Sequence, residues 1–152
     1  MKLLTCISGL GLSVFVLVAM SCTHKEKIEP PSVIPEIKLI TTSPGQVKAF
    51  EDEIRFVLEY TDGDGDLGTN DDKVRNVFVK DNRVDVIHEF RLQQLAPDNA
   101  TIAITGTFEI KLPNTIIVGS SAPETVTFSI SVVDRAGNKS NEVTSPEIII
   151  IK

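Results

Sequence analysis

An all-β fold, an antiparallel sandwich of about seven strands, is what this sequence predicts. Three observations predict it. From Glu36 onward the apolar residues recur with a period of two rather than 3.6, the signature of half-buried strands. Turn-forming clusters punctuate these runs: SPG at 43–45, DGDGDLG at 62–68, DN at 81–82, APDN at 96–99, PN at 113–114 and AGN at 136–138. The third is size: 152 residues, 41% of them hydrophobic, suffice for one core that is stable without metal or disulfide staples. No segment has a helical period, and no internal repeat is present.

The chain opens on a segment that does not belong to this fold. Lys2 precedes an apolar stretch from Leu3 to Ala19, and small residues then lead to a cysteine, Ala19-Met20-Ser21-Cys22. That order of parts is a secretory signal. Its end resembles the lipobox of bacterial lipoproteins, in which the cysteine is thioether-linked to diacylglycerol and becomes the first mature residue. The lipobox pattern prefers Leu three positions before the cysteine and Gly or Ala immediately before it; here Ala19 and Ser21 hold those places. A transmembrane anchor is the competing reading, and the run is close to the lower limit of the roughly 20 residues a span needs. Plain secretion would leave Cys22 a free thiol on a polar tail. The resemblance implies that residues 1–21 are removed, that Cys22 carries diacylglycerol and an acyl chain such as palmitate, and that the protein is held in the cell envelope, by default at the outer membrane. It also accounts for both cysteines, since Cys6 leaves with the signal.

Residues 22–35 read as the lipidated cysteine and a tether, with Pro30, Pro31 and Pro35 favouring extended polyproline II. At ~3.1 Å per residue such a stalk lifts a domain up to ~40 Å from the bilayer. The folded domain is expected over 36–152. Ile54, Phe56, Leu58 and Tyr60 form one inward row; Val84, Val86, His88, Phe90 and Leu92 another; Ile102, Ile104, Gly106, Phe108, Ile110 and Leu112 a third; Val126, Phe128, Ile130 and Val132 a fourth. Gly106 inside a long strand suggests a bulge or bend. Ile148–Ile151 suits a buried last strand. Seven such strands over this length fit a sandwich of immunoglobulin type.

Charge and composition exclude several functions. Without residues 1–21 the chain keeps 14 basic against 21 acidic side chains, the opposite of a phosphate-binding balance. Nucleic acid is therefore not an expected partner. One Tyr and no Trp leave little for a sugar-stacking platform. No nucleophile elbow is present, the mature domain has no thiol, and zinc would need more His or Cys. His88, the only histidine after the tether's His24, falls on an apolar position and reads as a strand residue. Glu51, Asp52 and Glu53 are better explained as an acidic approach to a strand than as a glycosidase pair. No catalytic residues are assigned, and no enzyme is expected.

Chemistry concentrates in two loops. Asp62, Asp64 and Asp66 alternate with Gly63 and Gly65, and Asp71 and Asp72 follow. Hard oxygen donors at alternate positions, on a backbone that glycine lets curve tightly, suit Ca²⁺. The three aspartates match positions one, three and five of an EF-hand, but Leu67 stands where its glycine belongs and Lys73 where its bidentate acid belongs. Completion of a calcium shell is therefore expected from elsewhere, with Asp134 and Asn138 of the DRAGNKSN stretch as candidates if the two loops share one end of the sandwich. The simpler reading is an acidic turn and an Asx turn with no ion.

VVDRAGNKSNEV resembles the end of the penultimate strand and the turn after it in bacterial immunoglobulin-like domains, where D-x-A-G-N-x-S is frequent. Together with YTDGDGDLG and the lipobox, it resembles immunoglobulin-like lipoproteins of Gram-negative envelopes. That resemblance implies a sandwich and an envelope location and carries over no chemistry. The function expected is a lipid-anchored, non-catalytic interaction module whose partners are the membrane and another envelope protein; the alternative is a calcium-dependent glycan-binding domain.

Overall fold

The computed structural model describes residues 31–152; the expected signal segment, Cys22 and the outer part of the tether lie outside the described residues. The described residues are all-β. Ten strands are present: β1 (Glu36–Ser43), β2 (Gln46–Lys48), β3 (Ile54–Asp62), β4 (Val77–Asp81), β5 (Val86–Phe90), β6 (Ile104–Leu112), β7 (Glu124–Val126), β8 (Phe128–Val132), β9 (Val143–Thr144) and β10 (Ile148–Ile151). They form three small sheets, ordered β1-β3-β6, β2-β10-β7 and β5-β4-β8-β9.

The strand count exceeds the expected seven because the run 124–132 is divided and because β2 and β9, at three and two residues, are too short to show an alternation. The run 124–132 divides at Thr127: Val126 pairs with Ile148 in one sheet, and Phe128 pairs with Asp81 in another. Ser145 marks the matching break between β9 and β10. Its NH donates to the Phe128 carbonyl at 2.8 Å and its Oγ accepts the Phe128 NH at 3.0 Å, so the ladder is carried across the gap by a side chain. Pairing is not antiparallel throughout either. β2 lies parallel to β10, with Gln46 opposite Ile149 and Lys48 opposite Ile151.

The alternation read from the sequence sets the core. Ile54, Phe56, Leu58 and Tyr60 of β3, Val77 and Val79 of β4, Phe128, Ile130 and Val132 of β8, and Ile148 and Ile150 of β10 bury themselves in one cluster shared by all three sheets. Phe56 and Phe128 meet edge to face, ring centroids 5.6 Å apart, across the space between two of the sheets. The last strand is buried on one face only, since Ile149 turns outward. Phe78 faces the outside of its sheet, where it lines a groove with Lys80, Ile87, Ser129 and Ser131. β5 is an edge strand, and the row expected to face inward is covered only in part. Val86 is exposed, Val84 and His88 are half-buried, and Phe90 and Leu92 pack against the core. Ile87 faces outward, as its place in the alternation predicts. Ile102 precedes β6 and is exposed as well.

Gly106 is not a bulge. It pairs in regular register with Tyr60, and a Cβ there would lie 2.7 Å from the Tyr60 hydroxyl oxygen. The glycine is a seat for the tyrosine ring. The register shift sits instead in β1, between Leu39 and Thr41.

Candidate metal site

Asp62 is the last residue of β3 and continues its inward row: Ile54, Phe56, Leu58, Tyr60, Asp62. A strand's period of two therefore drives this carboxylate into the core space, and its residue is 0% exposed. The chain then doubles back. Gly65 and Gly68 adopt φ of 78° and 84°, a region that favours glycine. Between them Leu67 plugs into the core at 0% exposure. Its NH donates to Asp62 Oδ2 at 2.8 Å. Leu67, which fails as an EF-hand turn residue, is the residue that ties this loop down.

The fold brings the second loop onto the first. β8 carries Phe128, Ile130 and Val132 inward, and Asp134 extends that row to a buried position. Arg135 NH donates to the Asp66 carbonyl at 3.2 Å, and Ala136 NH to Asp66 Oδ2 at 2.9 Å. The Arg135 guanidinium reaches the Gly68 carbonyl at 2.9 Å and the Gly65 carbonyl at 3.4 Å. Juxtaposition of the two loops was the expectation. Asp134 and Asn138 also bond to each other within their own turn. Asp134 Oδ1 accepts the Asn138 NH at 2.7 Å, and its Oδ2 accepts the Asn138 side-chain amide at 2.9 Å. Asp71 is likewise occupied, accepting the Lys73 NH at 2.9 Å.

What converges is Asp62, Asp64 and Asp66, each offering a carboxylate oxygen within 4.8 Å of the others. On all three, Oδ1 is buried and has no hydrogen-bond partner. An unpaired buried acceptor costs about 1–3 kcal/mol, and more when charged, so three together at the end of a core row are a large electrostatic debt for turn chemistry alone to leave. Burial pushes the Asp62 carboxyl above its usual value, the Leu67 NH opposes this, and the Asp64 carboxyl, close enough to share a proton with it, and then the charge of Asp66 add to the rise. Asp66 is pushed up by burial first, then by Asp134 and Asp64; the Ala136 NH and Arg135 offset only part.

A second buried acid in the same protein shows what neutralisation by side chains looks like. Asp81 ends the inward row of β4 at the opposite end of the domain, and Arg83 binds it at 2.6 Å. The same guanidinium reaches Glu124 at 2.8 Å. Around Asp62, Asp64 and Asp66 no described side chain donates to the three orphan oxygens, and Arg135 spends its guanidinium donors on carbonyls. Oxygens within 4.8 Å of one another fit a single ion bound at about 2.4 Å, the calcium distance. Calcium's tolerance of irregular, oxygen-rich shells suits a loop of this kind better than the strict octahedron of Mg²⁺.

Elsewhere, the acidic approach to β3 is satisfied locally: Asp52 Oδ2 accepts the Lys48 NH, Glu53 pairs with Arg55 at 2.6 Å, and Glu51 lies 3.6 Å from the Lys48 ammonium. His88 lies half-buried on β5, opposite Val79. Comparison with known proteins finds no matching family model, no similar curated protein and no similar solved structure.

Proposed function

We propose that this chain is a lipid-anchored, non-catalytic binding module of the cell envelope, built as an immunoglobulin-like sandwich whose loop end is organised by a structural calcium ion. The observation that carries the calcium part is the set of three buried, unpartnered oxygens on Asp62, Asp64 and Asp66. The sandwich part is supported by the shared core between β1-β3-β6 and β5-β4-β8-β9, and by the return of the 62–68 and 134–138 loops to one end. Burial of Asp62 and closure of the loop by Arg135 and Ala136 favour an ion that holds loops together over one that coordinates a sugar, which needs open positions.

The anchor rests on the Ala19-Met20-Ser21-Cys22 ending and the proline-bearing tether that follows. Two or three acyl chains give stable membrane attachment where a single chain does not. Cys22→Ala is expected to move the protein from the membrane fraction to the soluble fraction and to abolish palmitate labelling. Retention of both in the variant contradicts the lipid anchor.

A further inference from the structure

We propose that the aspartate loop is also a clasp on the tether, so that calcium sets how the domain is held relative to its anchor; this rests on the calcium reading above. The geometry is specific. Gly63, between Asp62 and Asp64, donates its NH to the Ser32 carbonyl at 2.9 Å. Any Cβ at Gly63 would overlap the carbonyl oxygens of Pro31 and Ser32, so the tether crosses directly over the loop backbone at the one residue that leaves room for it. The unpartnered Oδ1 of the fully buried Asp62, one residue away, points to a cation at that place.

The tether has two attachment points of unequal strength. Ile37 is held firmly: Asn141 Oδ1 accepts its NH and Asn141 Nδ2 donates to its carbonyl, both at 2.8 Å. Pro35, two residues before it, is buried. Toward the anchor, Val33 and Ile34 are exposed, and the following contact with the domain is Ser32 on Gly63. That contact depends on the loop keeping its shape. With three like charges and no counter-ion the loop is pushed apart, and the Gly63 NH moves with it; an ion bound to Asp62 and Asp64 fixes the peptide between them. The tether is then held from Ser32 in calcium and from Pro35 without it. The difference is three residues, about 9 Å of polyproline reach at ~3.1 Å each, together with loss of the contact that sets the direction in which the tether leaves the domain.

The test is elastase cleavage after Val33 in the purified full-length lipoprotein in detergent, in EDTA and in saturating calcium, with ion binding followed separately on the same samples by terbium luminescence. Calcium is expected to slow this cleavage about tenfold, within the usual range of coupling between two sites. In Gly63→Ala the cut is expected to stay fast in calcium, which also controls for any effect of calcium on the protease. In Asp64→Asn the rate is expected to be the same with and without calcium, and this variant keeps the test decisive if Gly63→Ala fails to fold. Ion binding with an unchanged rate after Val33 overturns the clasp and leaves the calcium site standing. Absence of ion binding overturns both.

Discussion

In saturating calcium the protein is expected to melt about 10 °C above its value in EDTA. An ion present at a hundredfold excess over its Kd stabilises the folded state by about 2.7 kcal/mol, and a domain of this size moves by roughly 4 °C per kcal/mol. Asp64→Asn is expected to abolish the rise while leaving the EDTA melting point equal or higher, because it removes one of three like charges. This opposite response in the two conditions separates a ligand from a merely structural residue. The rise is also expected to depend on pH. Asp62 and Asp66 have folded-state values above the ordinary carboxylate range, so in EDTA this cluster weakens the fold at neutral pH and relaxes as pH falls through those raised values. Calcium needs the ionised forms, so its stabilisation shrinks over the same window. A calcium-induced shift that does not shrink as pH is lowered toward and through the carboxylate range contradicts this.

Leu67→Ala is expected to have the largest effect of any substitution in the loop. The side chain is fully buried in the shared core, and deleting such a leucine costs about 2–5 kcal/mol, against a total stability of about 5–15 kcal/mol. The melting point in EDTA should fall by about 8–20 °C. Because Leu67 NH is also the donor that fixes Asp62 Oδ2, loosening this residue should weaken calcium binding at least about tenfold, the equivalent of ~1.4 kcal/mol. The contrast with Asp64→Asn is diagnostic: one variant is impaired in EDTA as well as in calcium, the other in calcium alone. Thermal melts in both conditions, with a calcium titration of each variant, check it.

Much of the fold was legible because strand alternation is a local property. The inward rows of β3, β6 and β8 follow directly from the spacing of Ile54–Tyr60, Ile104–Leu112 and Phe128–Val132. The same period extended by one step beyond the β3 and β8 rows reaches Asp62 and Asp134, so the burial of both aspartates was readable from the sequence. What the sequence did not disclose was tertiary. That β5 lies at an edge, and so exposes Val86 of its expected inward row, depends on sheet order rather than on its own pattern. Gly106 reads as a bulge until Tyr60 is placed over it. The bonds that Asp134 makes to Asn138 inside their own turn are likewise not legible in the spacing alone. The role of Gly63 was hidden for the same reason, because its partner Ser32 belongs to a segment that reads as a free tether.

Terbium luminescence excited through tyrosine tests the central claim most directly. Tyr60 is the only tyrosine and there is no tryptophan, so one side chain alone can sensitise the ion. Its place two residues before Asp62 on the same inward row puts their Cα atoms roughly 7 Å apart. The expected result is sensitised emission that saturates at one ion per chain, is displaced by calcium and disappears in Asp64→Asn. No sensitised emission, or emission that survives Asp64→Asn unchanged, would contradict a cation site at Asp62, Asp64 and Asp66.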